Sequence, residues 1–170
     1  MGVDYVNKNK MLYQEFELPK YDWHVSVFYN TTFEDIEDIM DCLYEMNCNS
    51  EIARKAYGNL SSGQKNTGLT FSKDNATCIV LGIATDSENF AHTYTHEIAH
   101  CAMHIAKEYG IDPQSEEYAY IVGDLGAKML PYASKFMCDC CRKKVYHERA
   151  HGEDRGYGIS EHERLTPYLE

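Results

Sequence analysis

Along this chain the spacing of apolar side chains switches between a period near two and a period near 3.6. After about twenty mixed, polar residues, positions 21–29 (YDWHVSVFY) concentrate aromatic and β-branched side chains with partial alternation, which predicts a strand. The period then lengthens. Phe33, Ile36, Ile39, Met40, Leu43 and Met46 recur at helical spacing behind Thr32, a residue able to cap, with acids in the first turn. A short helical stretch over 50–57 precedes NLSSGQKNTG, whose Gly, Ser and Asn content marks a loop. Two apolar runs, GLTFS (68–72) and TCIVLGIA (77–84), flank KDNA and predict a hairpin. From about 87 to 109 the pattern is helical again, with Phe90, Ile98, Ala99, Ala102, Met103 and Ile105 apolar and Gly110 placed to end it. Asp112 and Pro113 predict a new helix as N-cap and first-turn proline, carrying Ala119, Ile121, Val122, Leu125 and Leu130 toward Pro131. Beyond about residue 142 the chain is a polar, His-rich tail with little to bury.

A length of 170 residues predicts one domain, 1–170, and 44% hydrophobic with 25% charged residues suits a soluble globular fold. The formal net charge of −11 disfavours nucleic acid as a partner, since it would repel a phosphate backbone. No apolar run approaches the ~20 residues that span a bilayer, and the first residues lack the apolar stretch of an export signal. Neither a membrane span nor secretion is expected. Seven cysteines, an odd number, then point to reduced thiols in the cytoplasm rather than a disulfide framework.

One motif carries chemistry. Residues 96–100 read HEIAH, the pattern H-E-x-x-H, and helical periodicity sets His96 and His100 one turn apart on one face. Two imidazoles so placed can share a metal ion. Glu97 lies about 100° further around the helix, able to reach a water at the metal without ligating it. Imidazole is a borderline-soft ligand, and a catalytic zinc keeps one position open, so Zn2+ is the expected cofactor and Glu97 the expected general base. His92, His96, His100 and His104 extend the spacing into an i, i+4 ladder, in which His92 and His104 are neighbours of the site rather than expected ligands.

Strand, HEIAH helix, turn and a second helix opening SEEYAYIVGDL resemble the gluzincin type of zinc metallopeptidase. The chain is especially similar to small zincin-like proteins of phages and gut bacteria, in which the second helix reads approximately E-x-x-A-Y. The likeness spans about residues 77–131. It implies an α+β, zincin-like domain, with a small antiparallel or mixed sheet packed on the motif helix and the helix that follows. It also implies that Glu116 is the third zinc ligand, because Glu116, Ala119 and Tyr120 fall on E-x-x-A-Y. Glu117 and Asp124 stay open as rivals. At 1.5 Å per residue, an antiparallel pair turning near Gly110 would leave Glu116 ~7 Å short of His100 in depth, a gap that an oblique crossing could close. Tyr118 and Tyr120 are candidate oxyanion donors, with packing as the alternative role.

A second constellation, Cys138, Cys140, Cys141, His147 and His151, contains C-x-x-C and H-x-x-x-H spacings suited to a structural zinc. Buried cysteines followed by a solvated tail are the competing explanation. The reading that unites these features is a zinc-dependent hydrolase, a metallopeptidase acting on a peptide or protein substrate, with the 59–68 loop as a candidate lip. The alternative is a non-catalytic binding or virion-associated module that keeps the scaffold and a structural metal.

Overall fold

Strict alternation in LYQEFEL builds the first strand, β1 (Leu12–Leu18), of the computed structural model, which describes residues 11–136. Leu12, Gln14, Phe16 and Leu18 form its more buried face, and Tyr13, Glu15 and Glu17 its exposed one. Apolar pattern alone hides this strand because one inward position is polar. Gln14 is satisfied there: its Oε1 accepts from Tyr29 Oη at 2.6 Å, and its Nε2 donates to the Lys128 carbonyl at 2.9 Å. The strand expected over 21–29 is therefore the second, β2 (Trp23–Thr31), reached through a 3-10 turn at Pro19–Tyr21 and a left-handed Asp22.

Two helices follow. Thr32 and Asp35 form a capping box, with Asp35 Oδ2 accepting from Thr32 N at 2.7 Å, ahead of a 3-10 turn and α1 (Ile36–Glu45). Asn49 caps α2 (Ser50–Ser61), which runs four residues past the expected end. The expected hairpin is present as β3 (Gly68–Lys73) and β4 (Ala76–Gly82). Asp74 and Asn75 both adopt positive φ between them, as a two-residue type I′ turn requires.

The four strands form one mixed sheet in the order β1-β2-β4-β3. β1 pairs antiparallel with β2, β2 parallel with β4 (Val27 opposite Ile79), and β4 antiparallel with β3. The α1–α2 crossover joins the two hairpins and covers one face, where Ile39, Leu43, Ala53 and Ala56 pack on Phe28, Cys78 and Val80. The other face, with Val25, Val27, Tyr29, Ile79 and Leu81, is covered by α3 (Ser87–Tyr109) and α4 (Glu116–Ala133).

α3 has the bounds its periodicity predicts. Asp86 Oδ1 accepts from Asn89 N at 2.8 Å at one end, and Gly110 closes the other at φ 65°, a conformation that suits glycine. α4 starts later than expected. Ser115 is its cap, while Asp112 and Pro113 belong to the preceding turn, in which Asp112 Oδ1 accepts from Gln114 N at 2.9 Å. Pro131 lies inside the last turn of α4 rather than beyond it. Ile105, Ile121, Leu125 and Met129 are fully buried, each worth roughly 1.5–3 kcal/mol, so α3 is a firm platform for what it carries.

The fold is thus α+β, with a small mixed four-stranded sheet and four α-helices among the described residues. These residues belong to one compact unit, Met1–Cys138. The tail from about 142, and Cys138, Cys140, Cys141, His147 and His151, lie outside the described residues. None of the described helices is long and apolar enough to cross a membrane.

Candidate metal and catalytic site

α3 is amphipathic in an unequal way. Phe90, Tyr94, Ile98, Cys101, Ala102 and Ile105 form the buried stripe, and half a turn away His96 is exposed and His100 half-buried. On this outer face the two rings converge: His100 Nε2 stands 3.0 Å from His96 Nε2, with the ring planes at 78°. Two imidazole nitrogens on a tetrahedral zinc at 2.0–2.1 Å would be separated by about 3.3 Å. The contact is an imidazole–imidazole hydrogen bond, and its length lies within a few tenths of an ångström of that separation.

Glu97 turns the other way. It is 5% exposed, unusual for a glutamate, and reaches β3. Gly68, Thr70 and Ser72 alternate with Leu69 and Phe71 along β3, and the first three meet α3 while the other two join the α1–α2 core. Thr70 Oγ1 donates to Glu97 Oε2 at 2.6 Å and lies 3.3 Å from the Glu97 carbonyl. Gly68 leaves room for the carboxyl group: a Cβ there would stand 2.6 Å from Glu97 Cγ and 2.7 Å from its carboxyl carbon. Thr70 and Gly68 were not singled out by sequence reasoning. The signal available was period-2 spacing in the strand before the motif helix, which names a face but not its partner.

The histidine ladder divides. His92 stacks on His96 with ring centroids 6.0 Å apart and planes at 14°. His104 rotates toward the sheet, where its Nδ1 is 2.7 Å from Ser72 Oγ. Ser72 continues to Thr77 Oγ1 at 2.7 Å, which accepts from the Trp23 indole N–H at 2.8 Å. Partial burial, with smaller contributions from His100 and Lys107, holds the His104 pKa below the usual imidazole range. This polar chain anchors α3 to the sheet one turn beyond His100.

The acids of α4 are arranged differently. Glu117 Oε1 accepts from Lys20 Nζ at 2.9 Å and from Tyr21 Oη at 3.3 Å, and the Lys20 bond lowers its pKa. Glu116 is exposed in the first turn, on one helical stripe with Ala119 and Gly123, and Asp124 is exposed two turns on. The structure brings His96 and His100 together, with Glu97 beside them in sequence. Among the described residues it does not gather three His, Cys, Asp or Glu side chains into a metal-holding group. Tyr118 packs on the α3–α4 core and Tyr120 is exposed. No family model matches this chain, and no curated protein or solved structure matches it.

Proposed function

We propose that this protein is a zinc-dependent hydrolase of the gluzincin type, acting as a metallopeptidase. The observation that carries the reading is the convergence of His96 Nε2 and His100 Nε2 at 3.0 Å, on the helix that buries Glu97 against an edge strand. His96 and His100 would hold the ion through these nitrogens, and Glu116 is proposed to complete the set by reorienting from the first turn of α4. A zinc bound there supplies Lewis acidity, lowering the pKa of water from 15.7 to ~7.

The remaining chemistry belongs to the chain. Thr70 engages Glu97 Oε2, which leaves Oε1, beside Gly68, to take a proton from the attacking water and return it to the leaving amine. Among the described residues β3 pairs only with β4, so its outer edge can receive an extended peptide through main-chain hydrogen bonds. The turn that follows α2 and leads into β3 would flank that peptide. The same reading places the protein in the cytoplasm, which suits the free thiols Cys42, Cys48, Cys78 and Cys101.

The test joins metal analysis to kinetics. Wild-type protein should carry one equivalent of zinc, and a His96→Ala, His100→Ala double variant should carry none. With a peptide library and a chelator control, Glu97→Gln should keep the zinc and lose roughly 10²–10⁴-fold in rate. Full zinc retention by the double variant would move the metal elsewhere. Undiminished turnover by Glu97→Gln would end the mechanism. Zinc held by four protein ligands, with no turnover, would favour the non-catalytic module.

A further inference from the structure

The α1–α2 layer covers only part of its sheet face. Phe28, Cys78 and Val80 lie beneath it, whereas the corner where β1 meets the start of β2 is left as a cavity of about 480 Å3 beside α1. That volume is in the range of small-molecule sites. One wall is a single face of α1: Asp38, Asp41, Cys42 and Glu45 stand at i, i+3, i+4 and i+7 and all line the cavity. The sheet side is mixed: Ser26 and Ala76 line it with the cross-strand pair Tyr13 and Phe28, whose ring centroids are 4.8 Å apart, and Met11 and Met46 add two thioethers.

Charge in this cavity is one-sided. Glu15 adds a fourth carboxyl group, and the only basic side chain among the lining residues is His24, whose Nε2 is 3.9 Å from Glu15 Oε1. Glu15 also accepts from Tyr13 Oη, so His24 and Tyr13 both serve Glu15 rather than α1. Among the described residues no lysine or arginine lines the cavity. The carboxyl groups line a wall rather than converge, and none of the described residues form a group fit to hold a metal ion. A spread wall of negative charge beside two aromatic rings and two thioethers suits an ammonium group on a hydrocarbon body, which gains from the field, from the Tyr13 ring and from apolar contact together.

We infer that the cavity between α1 and the β1–β2 corner binds a small organic cation with an apolar body. The site lies on the sheet face opposite α3 and stands independently of the hydrolase reading.

Three probes of equal length separate the components: hexylammonium, 1-hexanol and hexanoate, titrated into the full-length protein and followed by amide chemical shifts. Hexylammonium should give saturable shifts centred on Tyr13, Phe28, Cys42 and Met46. Hexanol should bind at least tenfold more weakly and hexanoate should not bind. An Asp41→Asn, Glu45→Gln variant should weaken hexylammonium about tenfold, since both carboxyl groups are exposed and each contributes modestly. A Glu34→Gln, Glu37→Gln variant removes the same charge from positions that do not line the cavity, and should leave binding within about twofold. All four side chains are exposed or at the helix surface, so both variants should fold, which their amide spectra will verify. The inference is overturned if hexylammonium gives no saturable shift, if hexanol binds equally well, if the shifts map to another surface, or if both variants weaken binding alike.

Discussion

Gly68→Ala is expected to destabilise this protein, although the position is exposed and its backbone conformation is open to any residue. At such a site the added methyl group ordinarily stabilises by ~0.4–1 kcal/mol, by restricting the unfolded chain. Here the new Cβ would fall 2.6 Å from Glu97 Cγ, so the carboxyl group must move by about an ångström to restore van der Waals separation. That motion stretches or breaks the 2.6 Å bond from Thr70 Oγ1 and crowds a buried side chain, costs of ~1–3 kcal/mol each. With both costs set against that gain, the net loss should be at least about 1 kcal/mol. Thr70→Val, which removes the same bond while keeping side-chain shape, should cost ~1–3 kcal/mol. The double variant should cost less than the sum by at least ~0.5 kcal/mol, because once the hydroxyl is gone the displaced carboxyl group has no bond left to lose. Urea unfolding of all four proteins measures this cycle without requiring metal or substrate. Gly58→Ala in α2 is the control: nothing lies within 4 Å of its new Cβ, so it should stabilise by up to ~1 kcal/mol. Additivity within ~0.3 kcal/mol, or stabilisation by Gly68→Ala, would refute the claim that both residues act through Glu97.

Other outcomes follow from the same geometry. Of Glu116→Gln, Glu117→Gln and Asp124→Asn, only the first should raise the zinc dissociation constant strongly; a larger effect at Asp124 or Glu117 would reassign the third ligand. Glu117→Gln should instead weaken the surface contacts with Lys20 and Tyr21 and leave the unfolding free energy nearly unchanged. Burial pushes the Cys101 thiol up to about 12, from an ordinary value of 9.0. Its contribution to stability is therefore complete below about pH 9 and is lost as pH rises toward 12, because the unfolded chain releases this proton first. Unfolding free energy measured across that range should fall by up to ~1.4 kcal/mol per pH unit for this proton, and Cys101→Ala should flatten the slope. An unchanged slope would show that Cys101 is not the group responsible.

Local interactions made much of this molecule readable from its sequence. α3 has its expected ends because Asp86 and Gly110 supply cap chemistry that acts within one turn. The β3–β4 hairpin follows from Asp74 and Asn75, which tolerate positive φ, and the approach of His96 to His100 follows from 3.6-residue periodicity. Where short-range preference met a long-range partner, the sequence misled. β1 was hidden because Gln14 takes its hydrogen bonds from β2 and α4, and the start of α4 shifted because Ser115, not Asp112, faces the first free amides.

Tertiary structure alone decided the rest. Helical spacing puts Glu97 about 100° from His96, but only the sheet order makes β3 the edge strand that meets it, with Thr70 to bond it and Gly68 to admit it. Helical spacing set His104 one turn beyond His100, as a neighbour of the site, and Ser72 drew it to the sheet. Glu117 stayed a rival to Glu116 in the sequence, and only the fold brings Lys20, 97 positions away, to Glu117. Helical spacing sets the acids of α1 apart from its apolar stripe, but only the neighbouring β1 and β2 make Asp38, Asp41 and Glu45 line a cavity. Periodicity fixes the direction in which a side chain leaves its own element. What it meets depends on chain segments tens of residues distant, whose placement is set by burial of the whole core rather than by any local pattern.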